Sequence, residues 1–101
     1  MRRVNIKIGI AYGEDIEKAR AALLEIPATS DKVLHTPEAP ADPAVVVLDL
    51  ADSSVNLELR VWVKTADYWP IDSAFKQAAY EKFNEKNIEI PFNQLQVHIN
   101  Q

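Results

Sequence analysis

The segment from Ser54 to Lys64 constrains this chain more than any other. Val55, Leu57, Leu59, Val61 and Val63 alternate with Asn56, Glu58, Arg60, Trp62 and Lys64. Side chains of an extended strand point to opposite faces in turn, so the pattern predicts a strand with one buried and one polar face. A polar face implies a sheet covered on one side only, which favours antiparallel over doubly covered parallel architecture. Trp62 departs from the pattern as a large aromatic on the polar side.

The rest of the chain organises around that strand. Val4, Ile6, Ile8 and Ile10 alternate with polar or small residues and predict a first strand. Tyr12-Gly13 turns the chain. Glu14 and Asp15 suit the positive end of a helix, whose apolar stripe is Ile16, Ala19, Leu23 and Ile26, widened by Leu24. Glu14 and Lys18 are spaced for a favourable (i, i+4) ion pair. Pro27 is expected to stop this helix. Four of the six prolines fall between residues 27 and 43, an irregular stretch that Val33 and Leu34 are expected to pin to the body.

Ala44–Leu50 reads as a second strand, joined by a turn at 51–54 to the Val55–Val63 strand as a hairpin. Asp67 is placed to cap a second helix with Pro70 in its first turn and Ile71, Phe75, Ala78, Ala79 and Phe83 buried. Asn87 stands where a left-handed residue ends that helix. Leu95, Val97 and Ile99 alternate with Gln94, Gln96 and His98 and predict a last strand. The order strand, helix, strand, strand, helix, strand predicts an α+β, ferredoxin-like βαββαβ fold: a four-stranded antiparallel sheet with both helices on one face. Asn5, Lys7, Asn56, Glu58, Arg60, Trp62, Gln96 and His98 are expected to share the open face. With 101 residues, the whole chain is expected to form one domain, 1–101.

Composition excludes several classes. No apolar run approaches the roughly 18–20 residues that span a bilayer, and no signal peptide is evident, so the chain as it stands reads as soluble. Without cysteine there are no disulfides, thiolate metal sites or thiol nucleophiles. A formal charge of -4 with scattered basic residues argues against nucleic acid. His35 and His98 are the only histidines, and no cluster of His, Asp and Glu has metal-site spacing. Ser53-Ser54 is turn chemistry with no histidine placed to activate it. Two glycines cannot build a glycine-rich phosphate loop, and Glu14-Asp15 is explained by the helix start. No catalytic residue, cofactor or metal is expected, and the chain does not read as an enzyme. Three aromatics are candidates for a subunit interface. Trp62 projects from the polar face, and Tyr68 and Trp69 sit at the start of the second helix. Structural packing is the competing reading for each.

Two motifs carry a family resemblance. The segment 52–63, Asp-Ser-Ser-Val-Asn-Leu-Glu-Leu-Arg-Val-Trp-Val, resembles a strand pair in the cytoplasmic C-terminal domain of the small-conductance mechanosensitive channels, the MscS family. The segment 88–98, Ile-Glu-Ile-Pro-Phe-Asn-Gln-Leu-Gln-Val-His, is similar to that domain's ending. Ile8-Gly9-Ile10-Ala11-Tyr12 with Asp15-Ile16, and Val33-Leu34 with Pro37 and Pro40, extend the resemblance over nearly the whole chain. Asn93 replaces a proline usual in the tail, and Asn87 and Ala51 stand where glycine is usual. The family's membrane helices, pore helix and middle β-domain are not in this sequence, which leaves an excised domain or a stand-alone relative.

The resemblance implies a parent that is a homoheptameric channel, opening under bilayer tension in osmotic stress and releasing ions and small solutes. This domain would then form part of a hollow cage on the cytoplasmic side of the inner membrane. It would contribute to assembly, solute access to the pore and gating modulation. Its partners would be other copies of the same chain, with the membrane reached only through parent helices. The alternative is a stand-alone ferredoxin-like regulatory or small-ligand-binding module, which would need a pocket with converging polar groups around Arg60 and His98.

Overall fold

The computed structural model describes residues 1–91. Strand β1 (Arg2–Ile10) leads to helix α1 (Ile16–Ala28). A two-residue strand β2 (Val33–Leu34) precedes the hairpin of β3 (Ala44–Leu50) and β4 (Val55–Val63). A short 3-10 turn (Thr65–Asp67) opens into helix α2 (Tyr68–Glu85). The architecture is the expected α+β type, a four-stranded antiparallel sheet with two helices. β4 is its centre, with β1 on one side and β2 and β3 sharing the other. The strand expected at 95–99 lies outside the described residues, as do Gln96 and His98. The fourth strand that is seen is Val33–Leu34, where the chain expected only to be pinned pairs with Val63 and Trp62.

β1 and β4 pair without irregularity from Arg2↔Val63 to Ile10↔Val55. Val4, Ile6, Ile8 and Ile10 therefore stand opposite Val61, Leu59, Leu57 and Val55 on the helix-covered face. Leu23 and Ile26 of α1 and Phe75, Ala79 and Phe83 of α2 close the core from above. The β3 side differs. Val45-Val46-Val47-Leu48 has no alternation, and the register shifts between Val47 and Asp49. One extra residue, Leu48, is absorbed as a bulge. The bulge puts Asp49 opposite Asn56 on the polar face and Leu50 opposite Val55 on the apolar one.

The helix ends were readable with some corrections. Asp15 caps α1, accepting from the N–H groups of Glu17 and Lys18 at 2.9 and 3.3 Å. Pro27 does not stop α1 but sits inside its last turn, with Thr29 as the cap. The cap N–H bonds the Ile26 carbonyl, so the helix closes two residues later than a simple proline rule suggests. Glu14 does not pair with Lys18; its carboxylate accepts from the Glu89 N–H at 3.1 Å and ties the segment after α2 to the start of α1. Asp67 occupies the cap position of α2 without a side-chain cap bond, because the 3-10 turn already leads in. Pro70 is in the first turn of α2, as expected. Asn87 has φ 59°, and the Ile88 N–H donates to the Phe83 carbonyl at 2.8 Å while the Asn87 N–H donates to Asn84 at 3.3 Å. This is the paired closure of a left-handed C-terminal motif, with Ile88 buried as its apolar contact.

Candidate functional site

The polar face of the sheet brings together the residues expected there. Register places Arg3 opposite Trp62, Asn5 opposite Arg60, Lys7 opposite Glu58 and Gly9 opposite Asn56. One of them is not open: Glu58 is only 4% exposed. It is the central carboxylate of the face, and Arg60 Nε donates to its Oε1 at 2.7 Å. A buried carboxylate needs such a partner, since an unpaired one would be expelled or protonated.

At the far end of the same face, the Ser54 hydroxyl donates to Asn56 Oδ1 at 2.8 Å. Asn56 Nδ2 in turn donates to Asp49 Oδ1 at 2.7 Å. This chain of polar groups crosses above Gly9. A Cβ on Gly9 would stand 3.0 Å from Asn56 Oδ1, which explains the residue without any ligand. Lys7, Gly9, Asp49 and Asn56 also border a depression of about 310 Å³. Asp49 and Asn56 are already bonded to each other. Among the described residues, the converging free polar groups that a small-ligand module would need are not assembled around Arg60, whose Nε is bonded to Glu58; His98 lies outside those residues.

The loop from His35 to Asp42, exposed but for the buried Ala39, is held by its own polar bonds. Asp42 accepts from the Thr36 N–H at 2.8 Å and from its hydroxyl at 3.1 Å, which keeps the Asp42 carboxyl below its ordinary range. His35 Nδ1 lies 3.7 Å from Asp42. Among the described residues no group of His, Asp and Glu is arranged to hold a metal ion, and no helix is long and apolar enough to cross a membrane.

The three aromatic candidates occupy different settings. Trp62 is half-buried, flanked across the strands by Arg3 and Leu34. Tyr68 packs against the core, with the Arg2 guanidinium 3.7 Å above its ring. Trp69 meets Tyr68 edge-on, with ring centroids 4.8 Å apart, yet remains 67% exposed. Tyr68 and Trp69 thus form one cluster, and Trp62 stands apart on the other face of the sheet. Sequence reasoning did not single out Tyr80 on α2 or Val47, Leu48 and Leu50 on β3, all of which are exposed. The signals were present: Tyr80 falls outside the buried stripe of α2, and a run of apolar residues without alternation cannot bury every member.

Comparison with known proteins extends these observations. The family described as "Mechanosensitive ion channel MscS, C-terminal" matches residues 4–90. An uncharacterised MscS family protein of Synechocystis is 37% identical over 98 residues, covering 97% of this chain and 32% of the relative. The small-conductance mechanosensitive channel of Edwardsiella ictaluri is 34% identical, covering 99% of this chain and 34% of that protein. Among solved structures, Helicobacter pylori MscS in its closed state superposes with a TM-score of 0.78 at 29% identity, over 92% of this chain and 36% of that one. The chain spans about a third of the length of these relatives. The match runs from the first strand to the extended segment after α2, and the chain belongs to the MscS family of mechanosensitive ion channels as its C-terminal domain.

Proposed function

We propose that this chain works as the cytoplasmic cage domain of an MscS-like channel, contributing to assembly of identical subunits, to solute access to the pore and to modulation of gating. The observation that carries the reading is the family match across residues 4–90 in a chain that spans a third of its channel relatives. A unit of this kind supplies neither tension sensor nor gate; those lie in the rest of the parent. Its contribution is a folded surface that self-associates, in a homoheptamer by the family resemblance. The parent's membrane part holds it at the cytoplasmic side. The acidic balance favours cations near the cage at low salt, an effect that salt screens. Trp62, Tyr68 and Trp69 are the proposed contact residues, with Trp69 the most available of the three.

Removing residues 4–90 from a full-length parent tests the reading. The expected result is fewer assembled rings by native mass spectrometry and altered ion preference or inactivation under tension in patch-clamped membranes. Unchanged subunit number and unchanged currents would sink it. Trp69→Ala in the same parent is expected to weaken assembly more than Trp62→Ala.

A further inference from the structure

The segment after α2 is fastened unevenly. Ile88 is fixed: its side chain is 3% exposed and its N–H donates to the Phe83 carbonyl at 2.8 Å. Ile90, two residues on, is only partly buried against the core. Between them, Glu89 ties both of its backbone polar groups to the turn that joins β1 to α1. Its carbonyl accepts from the Ala11 N–H at 3.0 Å, and its N–H donates to Glu14 Oε2 at 3.1 Å. A neighbouring strand would meet both groups with backbone; here a side chain on a turn supplies one of the two bonds.

That difference matters because a side chain can turn away. A carboxylate makes a stronger bond to a backbone N–H than a neutral acceptor does, so Glu14 supplies much of the hold. The same carboxylate has a second partner within reach. Asp15 is the cap of α1, which makes Glu14 the residue before the cap and Lys18 the third residue of the helix. A side chain before a cap packs toward the fourth helical residue, here Ala19, the neighbour of Lys18. Lys18 is exposed and forms no ion pair among the described residues. The other carboxylates of this turn are occupied: Asp15 accepts from two backbone N–H groups, and Glu17 pairs with Arg20. With Glu14 on Glu89 no pair to Lys18 forms, so the observed geometry serves one donor at a time.

We propose that residues 88–90 form a strap latched by Glu14, whose carboxylate sits on the Glu89 N–H when the strap is closed and on the Lys18 ammonium when it is open. Ile88 is the fixed end in both states. Closing sets the direction in which the chain leaves α2 beside β1. Opening frees Glu89 and uncovers Ile90. Anything that acts on either donor biases such a two-state element. The device belongs to a single copy of the chain and does not rest on the self-association reading above.

Amide hydrogen exchange by NMR on the 101-residue chain reads the latch. The Glu89 and Ala11 amides report the two strap bonds, and the Ile88 amide reports the fixed end. Far-UV circular dichroism checks each fold. Glu14→Gln removes the charge, whereas Glu14→Asp keeps the charge and shortens the reach. Both should lower protection at Glu89 and Ala11 by roughly tenfold and leave Ile88 unchanged. Lys18→Met removes the competing partner and should raise protection at Glu89 and Ala11 by about twofold. In a Glu14→Gln background Lys18→Met should change nothing. Protection lost in Glu14→Gln but kept in Glu14→Asp would be an effect of charge on exchange and would overturn the latch. An equal loss at Ile88 would mark general loosening and overturn it too. No gain in Lys18→Met, or the same gain with Glu14 already replaced, would sink the exchange of partners.

Discussion

β4 has two neighbours, and they are built differently. On the β1 side, nine residues pair in unbroken register, and every inward side chain meets another inward side chain. On the β3 side the register slips at Leu48, and Val47, Leu48 and Leu50 reach solvent. The contrast follows from sequence. β1 alternates apolar and polar residues, so one register turns all its apolar side chains inward, with Ile8 alone only partly covered. β3 presents consecutive apolar residues, which no single register can bury, and a bulge divides them between the two faces. A strand with strict alternation is used up by its own core, whereas one without it retains apolar surface for other contacts.

The largest expected effect separates the two sides by stability. Leu59 is fully buried between them, and Leu59→Ala should cost about 2–5 kcal/mol in urea unfolding. Leu50→Ala, at the exposed end of β3, should cost less than about 0.5 kcal/mol. Similar losses for both would mean that the β3 edge belongs to the core after all. A second prediction concerns the polar chain that joins the two sides across Gly9. Gly9→Ala should destabilise by about 1 kcal/mol because its Cβ meets Asn56. In an Asn56→Ala background part of that cost should vanish, the rest being the contact with Ser54 Cβ at 3.2 Å, a coupling read by a double-mutant cycle. Additive costs would refute the steric account.

Asn87→Gly should stabilise by about 0.5 kcal/mol, since glycine adopts the left-handed conformation at φ 59° more freely. It acts where α2 returns the chain toward β1 and leaves the β3 side untouched, a gain read in the same urea unfolding.

The smallest effect concerns the helix layer common to both sides. Lys82 and Lys86 hold the Glu25 carboxyl below its ordinary value of 4.5, so Glu25 binds protons less readily folded than unfolded. Its contribution is present above the unfolded value and is lost as pH falls through the lower folded value. Lys82 is shifted upward by the same partner, so its contribution is full below 10.5 and lost at higher pH. Glu25 is exposed and Lys82 partly so, which keeps the effect small. Glu25→Gln should flatten the fall in thermal midpoint below about pH 4.5. An unchanged acid slope would assign that fall to other carboxylates, such as Asp42, whose carboxyl is also held low.

Most of the fold was legible in order and type. β1, α1, β4 and α2 were expected because each has a clear period of two or of three to four residues, and β3 because a short apolar run ends at a turn. Pro27 was misread because a proline fixes φ near the helical value and removes only its own N–H bond, so the last turn still forms around it before the chain stops. Glu58 was misread because alternation gives the face of a residue and not its depth. In a central strand flanked on both sides the middle polar position, Glu58, is buried, and Arg60 then compensates the charge. The site was less legible than the fold. Trp62, Tyr68 and Trp69 look alike as aromatics in a row of letters, yet one is wedged between strands, one lies under Arg2 and one faces solvent.

By itself the sequence determined the alternation of β4, the apolar stripes of both helices, the absence of thiol chemistry and the family motifs at 52–63. These depend on local period and on residue identity. Tertiary structure alone decided that Glu58 is buried, that Leu48 is the bulged residue, and that β1 and β3 lie on opposite sides of β4. Those are relations between residues far apart in the chain, set by packing that no local pattern encodes.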